Sequence, residues 1–244
     1  MGIDSVIKFS GATLGYDRFV ALENFNLDLK AGELVSFFGP SGSGKSTIVK
    51  AILGIINPIK GTVKIHDILS SDYSKKIGYV PQDNQLLPWL TIEENISLWQ
   101  RESQGSPFST RMLLELVRMD DRAKFLPSEV SGGMARRTAL ARGLGLKSDI
   151  LCLDEGMVGV ERSFRKDLMV AIRTHLKEHH ITTVMISHDY EEAVFMSDKI
   201  YVLSPGPAEI INVIDTNANG MPGNRTYDTF GSEAFNISAH QLIN

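Results

Sequence analysis

The stretch GPSGSGKST constrains the fold more than any other part of this sequence. It lies between the apolar run ELVSFF and the helical stretch STIVKAIL, and it matches the pattern G-x-x-x-x-G-K-[ST] in a strand–loop–helix context. Glycines let such a loop wrap around phosphate groups so that successive backbone N–H groups point inward. The predicted phosphate-binding residues are Gly39, Pro40, Ser41, Gly42, Ser43, Gly44, Lys45, Ser46 and Thr47.

A nucleotide held at such a loop also needs a metal ligand and a group that acts on water. Lys45 can reach the β- and γ-phosphates, and the Ser46 hydroxyl can ligate magnesium. The apolar run DILCL is followed by Asp154, at a strand end suited to magnesium, and by Glu155, whose carboxylate can polarise an attacking water. These residues predict nucleotide hydrolysis.

A third apolar strand, in TTVMISHDYEEA, ends at Ser187 and His188. Ligands of open α/β sheets gather at the carboxyl ends of the strands, so His188 is predicted to donate a hydrogen bond to the γ-phosphate. Asp189 is the predicted N-cap of the helix that follows, with Glu192 three residues later.

Composition excludes several classes of protein. The chain has 244 residues, 43% of them hydrophobic, which predicts one large domain over residues 1–244. The net charge is -4, and no basic block is present, so nucleic acid is not an expected partner. No apolar stretch is long enough to span a membrane, and Cys152 lies in a predicted buried strand. We expect a soluble cytoplasmic chain.

The order of the motifs resembles the ATP-binding cassette (ABC) ATPases over nearly the whole chain. GPSGSGKST is similar to their Walker A loop, VSGGM to their signature, and ILCLDE to Walker B. Gln82 resembles the Q-loop glutamine, His188 the switch histidine, and Tyr16 the aromatic residue that stacks on adenine. The resemblance implies that ATP and Mg²⁺ are the cofactors, with Ser46, Gln82 and Asp154 around the metal.

The resemblance also implies that the protein works as a pair. Ser131, Gly132 and Gly133 open a helix whose N-terminus suits an anion, and in this family that anion is the γ-phosphate of ATP on a second subunit. Two ATP molecules would then lie between two chains; a homodimer is the expected pair, and a heterodimer is an alternative that also satisfies the signature. Hydrolysis would let the pair open.

Four further features resemble the branch that imports nitrate, taurine and other sulfonates. They are Met134 in the signature, DNQLLPWLTIEENI after the Q-loop, VLSPGPAEII after the last strand, and a tail pattern of Pro222, Arg225 and Phe230. This branch implies transmembrane permease partners, an indirect link to a solute-binding protein, and a peripheral position on the cytoplasmic face of the cell membrane. Leu86, Leu87 and Trp89 are the predicted surface for a coupling helix of the permease, with subdomain core as the alternative.

Two departures from the family keep other functions open. Gly156 stands where the family has proline, and Glu161 where it has the D-loop aspartate. A regulatory nucleotide-binding subunit with weak or no hydrolysis is therefore an alternative. The stretch SGGMARRTALAR, with Val158 and Gly159, also resembles the ATPases of phospholipid-trafficking systems. A DNA-repair or translation cassette is disfavoured, because there is no coiled-coil insertion or second cassette.

The predicted fold class is α/β, a P-loop NTPase core with a mainly parallel sheet. An antiparallel β subdomain is expected at the N-terminus, an inserted helical subdomain at about 83–147, and a C-terminal extension at 206–244, with loop-like sequence over 215–231. Thr91 and Glu94 form a predicted capping box. A metal site at His175, His179 and His180 is an alternative to the favoured interpretation, a solvated helix end with protonated histidines.

Overall fold

The computed structural model describes residues 5–16, 19–73, 77–102 and 108–216. In this part of the chain there are ten β-strands and six α-helices. The chain divides into two compact units, one made of Met1–Tyr73 and Val184–Asn244 and the other of Ser74–Thr183. The predicted tail pattern of Pro222, Arg225 and Phe230 lies outside the described residues.

The first unit contains an antiparallel four-stranded sheet in the order β2-β1-β4-β5. Its strands are β1 (Ser5–Tyr16), β2 (Phe19–Lys30), β4 (Lys60–Ile65) and β5 (Ile68–Leu69). Buried apolar residues alternate with exposed ones along the second half of β2, as expected for a sheet with one face in the core. The predicted N-terminal antiparallel subdomain is confirmed.

A second set of strands in this unit has the order β10-β9-β3-β8. These strands are β3 (Leu34–Phe38), β8 (Thr182–Ile186, which begins in the second unit), β9 (Lys199–Leu203) and β10 (Ile210–Asp215). β3 and β9 are parallel, and β10 runs antiparallel to β9. The buried carboxylate of Asp198 accepts a hydrogen bond from Leu34 N at 2.9 Å, which fixes β9 beside β3. Helices α1 (Lys45–Ile52) and α6 (Tyr190–Met196) complete the unit.

The described part of the second unit contains two parallel strands and four α-helices, besides the start of β8. They are β6 (Gly78–Val80), α2 (Ile92–Glu102), α3 (Thr110–Leu116), α4 (Gly132–Leu144), β7 (Ile150–Asp154) and α5 (Arg162–Glu178). All five residues of β7 are buried, and burial raises the pKa of the Cys152 thiol to about 12. The prediction that Cys152 lies in a buried strand is confirmed, as is the α/β fold class with a mostly parallel core.

Local capping signals were predicted correctly. Thr91 Oγ1 accepts a hydrogen bond from Glu94 N, and the Glu94 carboxylate accepts one from Thr91 N at 2.8 Å, which is the expected capping box before α2. Asp189 caps α6 and accepts a hydrogen bond from Glu192 N. The described helices include none with the length and hydropathy to cross a membrane.

Two expectations need correction in part. His179 and His180 are exposed, as expected for a solvated helix end, but His175 is only partly exposed. Burial, with the neighbouring His179, lowers the pKa of His175 to about 4. The His175 ring packs against Phe108 with ring centroids 4.3 Å apart, a contact across 67 positions of sequence that periodicity does not reveal. Asp215, the first residue of the predicted loop-like stretch 215–231, is instead the last residue of β10, and residues 217–231 lie outside the described part of the chain. The boundaries 83–147 and 206–244 stay predictions.

Candidate functional site

The phosphate-binding loop of the first unit has backbone conformations that only glycine adopts easily. Gly42 and Gly44 have φ values of 83° and 80°. A Cβ on Gly44 would also lie 2.6 Å from Leu22 Cδ1, and one on Gly39 would lie 2.8 Å from the Leu203 carbonyl oxygen. A positive φ therefore favours glycine at Gly42 and Gly44, and close packing leaves no space for a side chain at Gly39 and Gly44.

Lys45 lies over this loop. Its Nζ donates hydrogen bonds to the carbonyl oxygens of Gly39 and Pro40, each at 2.8 Å, and to Ser43 Oγ at 3.3 Å. The helix that Lys45 begins, α1, has Gly44 as its N-cap, which supplies no side-chain hydrogen bond. Because the first turn of a helix leaves backbone N–H groups without intrahelical partners, this end of α1 fits a phosphate group.

The other predicted residues of the first unit lie at the ends of strands. Tyr16 is the last residue of β1, with 43% of its side chain exposed, and Lys50 Nζ lies 5.4 Å from its ring centroid. His188 is exposed and follows β8 after the buried Ser187. Ser187 Oγ donates a hydrogen bond to the Glu192 carboxylate at 3.0 Å, which ties the start of α6 to this strand end.

The second unit brings together two predicted residues that lie 73 positions apart. Asp154 ends β7 and is buried, and Glu155 follows it with a φ of 53°, in the left-handed region that is strained for a non-glycine residue. Gln82 Nε2 donates a hydrogen bond to Glu155 Oε2 at 3.0 Å. The side chains of these two predicted site residues are therefore in direct contact.

The signature residues form the start of α4. Ser131 is its N-cap and accepts a hydrogen bond from Met134 N at 3.2 Å. A Cβ on Gly133 would lie 2.6 Å from the Gly159 carbonyl oxygen, whereas one on Gly132 would meet nothing within 4 Å. Ser131 and Gly132 are exposed, so both are accessible in this chain.

The two departures from the family pattern differ in their surroundings. A Cβ on Gly156 would make only ordinary contacts, the nearest at 3.5 Å from Leu140 Cδ2, so space does not demand glycine there. Glu161 is the N-cap of α5 without a side-chain capping hydrogen bond, and its Oε1 accepts one from Ser163 Oγ at 2.8 Å.

Sequence reasoning missed two buried polar side chains of the second unit. Asn95 is fully buried and bonds the loop before α2: its Oδ1 accepts from Leu87 N, and its Nδ2 donates to three carbonyl oxygens. Arg136 is 3% exposed and donates to carbonyl oxygens beside Gln82 and Glu155. Neither residue has a local sequence signal, because each lies on a helix with several other polar side chains and its partners depend on tertiary packing.

Comparison with known proteins agrees with this geometry. Residues 22–158 match the family model described as ABC transporter. The aliphatic sulfonates import ATP-binding protein SsuB of Bacillus thuringiensis subsp. konkukian is 35% identical over 94% of this chain and 91% of its own length. The sulfate/thiosulfate import ATP-binding protein CysA of Synechocystis is 37% identical over 82% of this chain and 58% of its own length.

Among solved structures, the dimeric post-hydrolysis state of the ATP-binding cassette MJ0796 bound to ADP and Pi superposes with a TM-score of 0.76. It is 30% identical and covers 87% of this chain and 99% of its own. The chain therefore belongs to the ABC transporter family. It is an ATPase of the ABC type.

Proposed function

We propose that this chain is the ATP-hydrolysing subunit of an ABC importer for a small oxyanion, an aliphatic sulfonate in the first instance. The observation that carries the hydrolytic part is the pairing of Asp154 at the end of β7 with Glu155 held by Gln82. The substrate class rests on the relatives named above, which are importers of sulfonates and of sulfate or thiosulfate. Those names lend no support to nitrate, and the phospholipid-trafficking alternative stays a prediction.

Each unit contributes its own chemistry. In the first unit, the glycine-rich loop and the N-terminus of α1 bind the phosphates, Lys45 leaves its loop carbonyls for the β- and γ-phosphates, and His188 donates to the γ-phosphate. Tyr16 stacks on the adenine. In the second unit, Glu155 accepts a proton from the attacking water.

The predicted metal ligands are of the kinds that magnesium prefers: the first unit offers the Ser46 hydroxyl, and the second unit offers the Gln82 amide oxygen and the Asp154 carboxylate. Ser46 is exposed on the first turn of α1, and Asp154 is buried at its strand end. When bound, the metal neutralises charge on the phosphates. Glu155 orients the attacking water.

The partner that completes the reaction is a second copy of this chain. Exposed Ser131 and Gly132, with the nearby Val158 at 56% exposure, form a surface suited to the γ-phosphate and loop of another subunit. The cassette MJ0796 is dimeric in its post-hydrolysis state, which supports the same assembly here. ATP binding closes the pair, and hydrolysis reopens it.

The permease docks on the second unit near Trp89. That side chain is 71% exposed, and a cavity of about 630 Å³ lies in the same unit, lined by Tyr79, Leu87 and Leu98 among other residues. Arg142 holds the backbone of the neighbouring loop through the Gln85 carbonyl oxygen at 2.7 Å. A loop bonded by Arg142 beside an apolar cavity suits a helix of a transmembrane subunit, which keeps the chain at the cytoplasmic face and links it indirectly to a solute-binding protein.

The second candidate function is a regulatory subunit that binds ATP with little turnover. Its supporting observation is Glu161, whose longer carboxylate is engaged by Ser163 in place of the shorter D-loop aspartate.

Phosphate release from Mg–ATP separates the two candidates. We expect turnover by the unmodified chain and its loss in Glu155→Gln, while ATP binding is retained. ATP binding without phosphate release by the unmodified chain would favour the regulatory subunit. If Glu161→Asp hydrolyses ATP faster than the unmodified chain, the longer side chain of Glu161 is the cause of the slower hydrolysis.

A further inference from the structure

Arg136 has an unusual environment for an arginine on a helix. The side chain is 3% exposed, and its guanidinium donates hydrogen bonds to five backbone carbonyl oxygens in the second unit. The acceptors are those of Pro81 and of Gln82 (3.0 Å), Asp154 (2.8 Å), Glu155 (2.7 Å) and Gly156 (3.0 Å).

These acceptors belong to two segments far apart in sequence. Two of them are at the start of the Q-loop, and three are at the end of β7. A guanidinium is a rigid, planar fork with five N–H donors, so it fixes the relative positions of the groups that it bonds. Arg136 is also in the second turn of α4, the helix that Ser131 begins. One side chain thus joins the signature helix, the Q-loop and the strand end.

The same two residues that Arg136 holds by their backbones touch through their side chains. Gln82 Nε2 donates to Glu155 Oε2 at 3.0 Å, and Arg136 bonds the carbonyl oxygens of both. Glu155 has a φ of 53°, a conformation that persists only where surrounding contacts enforce it. The bonds to Asp154, Glu155 and Gly156 supply such contacts on both sides of the strained residue.

We propose that Arg136 is a positioning residue for ATP hydrolysis: it holds the backbone of Gln82 against that of Glu155, so that the glutamate carboxylate is aimed for water activation. This inference rests on the proposed function. Because the phosphate-binding residues Lys45 and Ser46 belong to the first unit, the proposal predicts an effect on turnover with little effect on ATP affinity.

The test compares Arg136→Gln and Arg136→Lys with Arg137→Lys. Arg137 is the adjacent arginine of α4 and also donates to carbonyl oxygens, those of Val117 and Arg118, so it is a matched control. We expect both Arg136 variants to lower kcat about tenfold or more with KM for ATP within about twofold, since small misplacements of reacting groups have effects of that size. Arg137→Lys should keep both constants near those of the unmodified chain.

A double-mutant cycle with Gln82→Ala tests whether Arg136 acts through the Gln82–Glu155 pair. We expect the double variant Arg136→Gln/Gln82→Ala to lose less turnover than the product of the two single losses, because both changes disturb one pair. Losses that multiply in full, or an unchanged kcat in Arg136→Gln, would overturn the proposal.

Folding is monitored by thermal unfolding and by binding of a fluorescent ATP analogue. If Arg136→Gln does not fold, Arg136→Lys carries the comparison, since it keeps the charge but loses the planar fork. If neither variant folds, or if KM rises while kcat is kept, Arg136 has a structural role and the proposal is wrong. If the unmodified chain binds ATP without releasing phosphate, the proposed function is wrong. That result is obtained from the unmodified chain alone and does not depend on the Arg136 variants.

Discussion

At the scale of single residues, backbone conformation and available space constrain the phosphate-binding loop separately. Gly42 has a φ of 83°, but a Cβ there would meet nothing within 4 Å. Gly44 has a similar φ of 80°, and a Cβ there would also lie 2.6 Å from Leu22 Cδ1. Both glycines therefore have a positive φ, but only Gly44 also lacks space for a side chain.

This difference predicts unequal effects of alanine. We expect Gly42→Ala to lower the free energy of unfolding by about 1–3 kcal/mol, the range for a non-glycine residue held at positive φ. Gly44→Ala should lower it further, because Leu22 must move as well. Urea unfolding of both variants measures the difference, and a larger loss in Gly42→Ala would contradict the packing argument.

At the scale of elements, two helices of the second unit make close contacts with distant segments. The start of α4 is packed tightly on one side only: a Cβ on Gly133 would lie 2.6 Å from Gly159 O, whereas Gly132 has open space. The C-terminal part of α5 instead packs a partly buried titratable ring, that of His175, against the buried Phe108. Each of these two contacts gives a prediction about stability that a comparison of variants can test.

For α4, we expect Gly133→Ala to reduce stability and Gly132→Ala to leave it nearly unchanged. The reason is that Gly159 O is a backbone atom, which can yield only if the loop before α5 shifts. Thermal unfolding of the two variants is the measurement. Equal midpoints would show that this loop moves freely and would contradict the close approach.

For α5, His175 should make stability depend on pH. Its pKa is lowered by burial, and by His179, from 6.5 to about 4. Between these values the unfolded chain binds a proton at His175 that the folded chain does not bind, so stability is present above about pH 6.5 and is lost as the pH falls towards 4. We expect His175→Phe, which keeps a ring against Phe108, to flatten the pH dependence of urea unfolding in this window. An unchanged slope would contradict the low pKa.

At the scale of the whole molecule, local signals were predictable from sequence. The phosphate-binding loop and the Thr91–Glu94 capping box depend on residues within a few positions of each other, and the order of the strands' apolar runs predicted an α/β fold. Glycines at these spacings predict a phosphate-binding loop, and threonine three positions before glutamate predicts a helix start, so few other local structures fit these stretches.

Contacts between distant segments were not predictable in the same way. In the sequence, Arg136 resembles any other charged residue on a helix. Its carbonyl partners, 18 or more positions away, are seen only in the structure. The burial of His175 depends on Phe108, and the need for Gly133 depends on Gly159, neither of which periodicity identifies. Such contacts are set by tertiary packing, which a single sequence does not encode in its local pattern.

The central claim is that this chain hydrolyses ATP as a pair of identical subunits. The most direct measurement is the mass of Glu155→Gln in solution, by light scattering, with ATP and with ADP. We predict a dimer with ATP, because binding persists while hydrolysis is blocked, and a monomer with ADP. The further change Ser131→Arg should prevent the ATP dimer by placing a bulky cation on the exposed signature. A Glu155→Gln protein that binds ATP and remains monomeric would contradict the claim.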